Sequence, residues 1–217
     1  ARYGRSADAD ALAACAELRH GLDRIARERI GAELRKLLAA PDPGHAVAMM
    51  QQTGVLQTLL PQATTARLHA LLDVEARSDA APEWPRRLAA LAGAAPDRTA
   101  TALRLSRHEA RHQRQLAEAR DMPLDEAAYR FGIQIGTDHA LLAAADGIAL
   151  PDDWRQRIRR AAQARLPITA RDLPELTGPA LGMALRKAER AWIAANFALE
   201  PPALIALARQ IEGTTSK

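Results

Sequence analysis

Apolar residues recur at intervals of three and four along nearly the whole chain, which is the period of one face of an α-helix. Leu12, Cys15, Leu18 and Leu22 share such a face behind Asp8, a good N-cap type. The spacing predicts a first helix that packs Cys15 into the core and breaks near Gly21. Ile25, Ile30, Leu34, Leu37 and Leu38 mark a second helix, stopped by Pro41-Asp42-Pro43-Gly44. A third passes through Val47 and Met50 to about Gly54, and residues 55–61 are expected as a short apolar connector. Further helices are expected over residues 66–76, 84–91, 99–103 and 107–119. Ser106 should cap the last of these, with Glu109 at the capping-box position. Prolines then punctuate helices near 124–132, 137–145 and 152–164. A long helix from Pro179 to Asn196 starts as the helix-start rules require, with proline in its first turn. A short helix at 202–211 closes the array, and residues 213–217 are expected as a disordered tail.

Composition agrees with this pattern. Alanine, the strongest helix former, is abundant, aromatics are only 3%, and runs of β-branched residues are absent. The expected fold class is therefore all-α, an array of short helices with no sheet. A weak boundary near Ala94–Asp97 divides it into regions 1–95 and 96–212. One cysteine permits neither an internal disulfide nor a CxxC metal site, and no apolar run is long enough to span a bilayer. A cytoplasmic setting is expected. The chain opens at Ala1-Arg2-Tyr3-Gly4, without Met and without a targeting pattern, as a fragment of a longer protein would.

His108-Glu109-Ala110-Arg111-His112 spells HExxH, which on a helix can present two zinc ligands and a general base on one face. A zinc hydrolase using His108, Glu109 and His112 is therefore one reading. Against it, Arg107, Arg111 and Arg114 surround the motif with charge that repels a divalent cation, and no third histidine follows closely. The alternative is a solvated helix face. Asp8-Ala9-Asp10 is a DxD string of the kind that holds Mg²⁺, but no strand or Gly-Ser turn presents it, and acids are ordinary at a helix start. No residue is assigned as catalytic and none as a metal ligand.

The net charge is +4. Of 30 basic residues only Lys36, Lys187 and Lys217 are lysines. Genomic base composition accounts for much of that ratio, but not for where the arginines fall. Arg104, Arg107, Arg111 and Arg114 are spaced as one helical stripe, and Arg155, Arg157, Arg159, Arg160, Arg165 and Arg171 form a second cluster. Such clusters can track phosphates, since guanidinium matches phosphate geometry. The scarcity of aromatics disfavours a base-stacking platform and suits a duplex read by its backbone. A helical protein–protein module with merely solvated arginines is the competing reading.

Glu28-Arg29-Ile30-Gly31-Ala32-Glu33-Leu34-Arg35-Lys36-Leu37-Leu38 reads ERIxxELxKLL and is followed by Gly54-Val55-Leu56-Gln57-Thr58-Leu59-Leu60-Pro61. Leu103-Arg104-Leu105-Ser106 comes next, then Leu166-Pro167-Ile168-Thr169-Ala170-Arg171-Asp172-Leu173, Gly178-Pro179-Ala180-Leu181-Gly182 and Trp192. Together these blocks resemble the neck, body and tail of bacterial CCA-adding tRNA nucleotidyltransferases and poly(A) polymerases. Ala26 replaces a frequent serine cap, Ala170 replaces a frequent glycine, and the connection before Gly178 is short.

The resemblance implies a parent enzyme that adds nucleotides to the 3′ end of tRNA without a template. Its head would hold Mg²⁺ on two aspartates beside a Gly-Ser turn, and its neck would select CTP and ATP. Neither motif lies in these residues, so the resemblance implies an inactive fragment with no cofactor of its own. Ala1-Arg2-Tyr3-Gly4 looks like the end of the base-selecting segment, which Glu28, Arg29 and Glu33 would brace by ion pairs. The implied partner is tRNA, held by its acceptor stem and T arm, with a monomer favoured.

Overall fold

The computed structural model describes residues 8–210. It contains twelve α-helices and two short 3₁₀ turns, with no strand among the described residues. The all-α expectation is met. None of these helices is long and apolar enough to cross a membrane. They fall into two units, one comprising Ala1–Met122 and Thr137–Trp154, the other Pro123–Gly136 and Arg155–Lys217. Ala94–Asp97 lies inside the first unit.

In the first unit, α1 (Ala9–Leu18) is capped by Asp8, whose carboxylate accepts from the Asp10 amide. The expected apolar face is there but is not a core. No residue of α1 is buried, Cys15 is exposed, and Leu18 is 74% exposed. Periodicity shows which side of a helix is apolar, not whether another element covers it. A 3₁₀ turn (Arg19–Arg24) leads to α2 (Arg27–Ala39), which buries Ile30, Leu34 and Leu38 at four-residue steps. Gly31 on the same helix meets the Leu103 backbone. A Cβ there would lie 2.1 Å from the Leu103 carbonyl oxygen, so only glycine fits.

After α3 (Gly44–Gln52) the expected connector is instead a helical turn, α4 (Val55–Leu59). Gly54 at φ +74° redirects the chain, and Leu56 and Leu59, three apart, become buried on one side. The unit continues through α5 (Ala66–Arg77), α6 (Trp84–Ala92), α7 (Pro96–Ala102) and α8 (Arg107–Ala119). Helix α9 (Leu124–Ala145) fills the gap expected between residues 132 and 137. It is broken within by Gly132 at φ +89° and ψ 179°, and its residues from Thr137 belong to the first unit.

The first unit is built around charge. Arg86 and Arg87, adjacent on α6, are each 2% exposed, Glu75 on α5 is 3% exposed, and Asp138 on α9 is fully buried. Arg86 donates to Glu75 Oε1 and to Asp138 Oδ1, each at 2.8 Å. Arg87 donates to Glu75 Oε2 at 2.8 Å and to the carbonyls of Leu38 and Ala40 at 2.8 and 2.6 Å. Those carbonyls end α2 and have no intrahelical partner, so Arg87 serves as its C-terminal cap. Among the described residues no buried side-chain nitrogen or oxygen lacks a partner, which is the condition for tolerating ions in a core.

The second unit contains residues 124–136 of α9, most of α10 (Trp154–Gln163), a 3₁₀ turn (Ala170–Asp172), α11 (Gly178–Ala194) and α12 (Pro201–Arg209). Thr169 and Asp172 form a reciprocal capping box around Ala170. Small residues Ala184 and Ala188 on α11 and Ala208 on α12 join Trp192, Leu204, Ile168 and Leu173 in one core cluster. Asn196 and Phe197 follow α11 at φ +52° and +63°, in the left-handed region that bulky residues seldom adopt. The turn delivers Phe197 to Trp192 and Tyr129, with ring centroids 4.9 and 5.6 Å away. Tyr129 donates its hydroxyl to Glu189 Oε1 at 2.7 Å. Burial, then this hydrogen bond and the nearby negative charge, push the phenol up to about 12.

Two predictions follow from these cores. Arg86→Met takes from two buried carboxylates the cation that joins them and should lower unfolding free energy by about 3–5 kcal/mol in urea titrations. Because the phenol is held neutral in the fold, its contribution is complete below pH 10 and is lost as pH rises through about 12. An ultraviolet phenolate titration should therefore show a late transition that Tyr129→Phe removes.

Candidate nucleic-acid interface

Helix α8 begins with a full capping box. The Ser106 hydroxyl accepts from the Glu109 amide at 3.3 Å, and Glu109 Oε2 accepts from the Ser106 amide at 2.7 Å. Both Glu109 oxygens also accept from Arg35 Nη1 of α2 at 3.1 Å. The carboxylate that HExxH would use as a general base is thus fully engaged in building the helix start. The two histidines differ. His108 is exposed, whereas His112 is half-buried, and its Nε2 lies 3.0 Å from Oδ2 of buried Asp138. The solvated-face reading therefore holds for His108 and fails for His112, which belongs to the buried ion network. Among the described residues no group of three or more His, Cys, Asp or Glu is arranged to hold a metal ion.

The inner face of α8 buries Ala110, Gln113, Leu116 and Ala119, which turns Arg107 and Arg111 outward. Both are exposed and make no ion pair among the described residues. Arg114 shares their face but is paired with Asp97 at 3.0 Å. Arg104, expected as the first member of the stripe, is not on the helix. It sits in the turn before α8 at φ +48°, with its Nε 3.7 Å from Glu28 Oε1.

Helix α10 is more uniformly basic. Ile158 and Ala161 face inward, and Arg155, Arg159 and Arg160 are exposed. No acidic residue occurs between Trp154 and Arg171. Arg157 turns back, making a two-pronged ion pair with buried Asp125. Arg159 and Arg165 donate to neighbouring backbone carbonyls, of Arg155 and Ala164 respectively, and keep their charge uncompensated. Arg171 is exposed on the following 3₁₀ turn.

Glu28, Arg29 and Glu33 were expected to brace the upstream segment, which lies outside the described residues. Within them, Glu28 faces Arg104 and Glu33 pairs with Lys36 at 2.9 Å. Arg29 is exposed and makes no ion pair among the described residues. The residues that sequence reasoning missed are Glu75, Arg86, Arg87 and Asp138. A signal was available, because Arg86-Arg87 interrupts an otherwise apolar helix face in Trp84-Pro85-Arg86-Arg87-Leu88-Ala89-Ala90-Leu91-Ala92.

Residues 7–67 match the family model described as the probable RNA and SrmB-binding site of polymerase A. The match covers just over a quarter of the chain and contains both ERIxxELxKLL and Gly54-Val55-Leu56-Gln57-Thr58-Leu59-Leu60-Pro61. It supports an RNA-binding region of the poly(A) polymerase kind. No curated protein matches the chain.

The different roles of the two histidines can be measured. His112→Ala removes a partner of buried Asp138 and should cost about 1–3 kcal/mol. His108→Ala should stay within about 0.5 kcal/mol of the parent. Metal analysis after zinc addition should find no stoichiometric zinc. Equal effects of the two substitutions, or one bound zinc per chain, would contradict this assignment.

Proposed function

We propose that this chain is the tRNA-holding helical part of a template-independent nucleotidyltransferase of the poly(A) polymerase-like group, gripping the acceptor stem and T arm through backbone phosphates. The observation that carries the reading is the pairing of ERIxxELxKLL, inside the matched region, with outward arginines that make no ion pair among the described residues. Arg107 and Arg111 on α8 form one such set, and Arg159, Arg160, Arg165 and Arg171 a second. Guanidinium groups suit phosphate oxygens. Among the described residues no Trp, Tyr or Phe is exposed, which leaves no stacking platform and favours a duplex backbone.

In this reading nucleotide addition belongs to a catalytic head outside the described helices. Mg²⁺ with CTP or ATP is bound there, and the helices supply affinity and position only. The parent works in the cytoplasm as a monomer.

The test is charge reversal. Arg107→Glu with Arg111→Glu, and separately Arg159→Glu with Arg160→Glu, should each weaken tRNA binding by at least about tenfold at low salt, because each lost phosphate contact forfeits released counterions. These exposed sites should leave the melting temperature unchanged. The chain itself should transfer no nucleotide to tRNA. Unchanged affinity in both double variants would mark the arginines as solvated surface and favour the protein–protein module.

A further inference from the structure

The first unit contains a cleft of about 480 Å³ between the C-terminal ends of α6 and α8, the start of α7 and the last turns of α9. That size is within the range of small-molecule sites. Leu116 and Leu142 form apolar walls, and Ile148 stands at the mouth 60% exposed. Two nearly buried polar side chains also line it. His139 Nε2 lies 3.1 Å from the Met122 carbonyl and donates to it, and Gln113 Nε2 donates to the Pro85 carbonyl at 2.9 Å. Each residue thus has its N–H engaged by backbone and keeps an acceptor, Nδ1 of the imidazole and Oε1 of the amide. Neither acceptor has a hydrogen-bond partner among the described residues. Among the described residues no buried side-chain nitrogen or oxygen is left without a partner, so both atoms reach open space. Burial, with a smaller effect of the Arg67 charge, lowers the His139 pKa and keeps the ring neutral with its lone pair available.

The charges around the cleft cancel. Arg67 is clamped by Asp146 through two bonds of 2.8 and 2.6 Å, and the one further cation of the lining, Arg120, is offset in number by the carboxylate of Asp121. A bare phosphate therefore has no preference for this site. Its chemistry suits a flat group with apolar faces and N–H donors on one edge.

We infer that this cleft takes one unpaired nucleobase of the bound RNA, its faces against Leu116, Leu142 and Ile148 and its amino edge donating to His139 Nδ1 and Gln113 Oε1. The assignment rests on the RNA-binding reading for its biological ligand, but its chemistry can be tested without RNA. The base inserts edge-first between aliphatic walls, which is how a surface without exposed aromatics can still distinguish a base.

The experiment is an NMR titration of the full chain with adenosine, purine riboside (which lacks the amino group) and inorganic phosphate. Adenosine should shift the His139 ring and the methyl groups of Leu116, Leu142 and Ile148 saturably, and bind at least about tenfold tighter than purine riboside, which can donate to neither acceptor. Phosphate should cause no shift. Ala117→Trp, which fills the cleft, and Ile148→Glu, an exposed change that spares the fold, should each abolish the adenosine shifts. Absence of saturable shifts, equal affinity for purine riboside, or shifts that survive Ile148→Glu overturns the proposal. Retention of tRNA without an adenosine response defeats the cleft alone, whereas an adenosine response without tRNA binding defeats the RNA-binding reading and leaves the cleft standing.

Discussion

The first unit depends on two guanidinium groups that cannot leave its core. Arg86 and Arg87 occupy the buried side of α6, and desolvating them without partners would exceed the stability of a domain of this size. The chain therefore brings Glu75 from α5 and Asp138 from α9 to them and closes the set with His112 from α8. Arg87 also caps the last carbonyls of α2. Five helices of the unit are thus held to one hydrogen-bonded cluster whose geometry leaves little freedom, because every donor and acceptor has an assigned place.

This constraint orients the surface. With His112 turned toward Asp138 and Gln113 toward the Pro85 carbonyl, Arg107 and Arg111 are set on the outer side of α8. The capping box at Ser106 and the bond from Arg35 to Glu109 hold the start of the same helix. Glu109 and His112 thus have structural duties that the HExxH string does not reveal. In the second unit the same separation recurs in simpler form: Arg157 is tied to buried Asp125, and Arg159 and Arg160 are left facing solvent. Both surfaces present arginines that make no ion pair among the described residues, as an interface with a phosphate backbone requires.

Helix periods and caps made most of the architecture readable in advance. Ile30, Leu34 and Leu38 announce the buried face of α2, Ser106 and Glu109 announce the start of α8, and Pro179 that of α11. What escaped was tertiary. Cys15 has core spacing, but its helix buries nothing. Residues 55–59 are too few to show a period, and Gly54 supplied the only hint of a turn. The ion network joins residues from four distant segments, and nothing in the sequence pairs Asp138 with Arg86. The arginine clusters were legible as clusters. Which members are engaged, Arg114 and Arg157, and which are open depended on acids brought near by folding. The acceptors in the α6–α8 cleft could not be read at all, since they are defined by which atoms of Gln113 and His139 the backbone already holds.

The central claim is that the outward arginines of the two helical units bind an RNA backbone. Its most direct test is the salt dependence of tRNA affinity. Several phosphate contacts predict that log K falls linearly with log salt concentration, with a slope of about −3 or steeper. A slope near zero, with the chain folded throughout, would contradict the account.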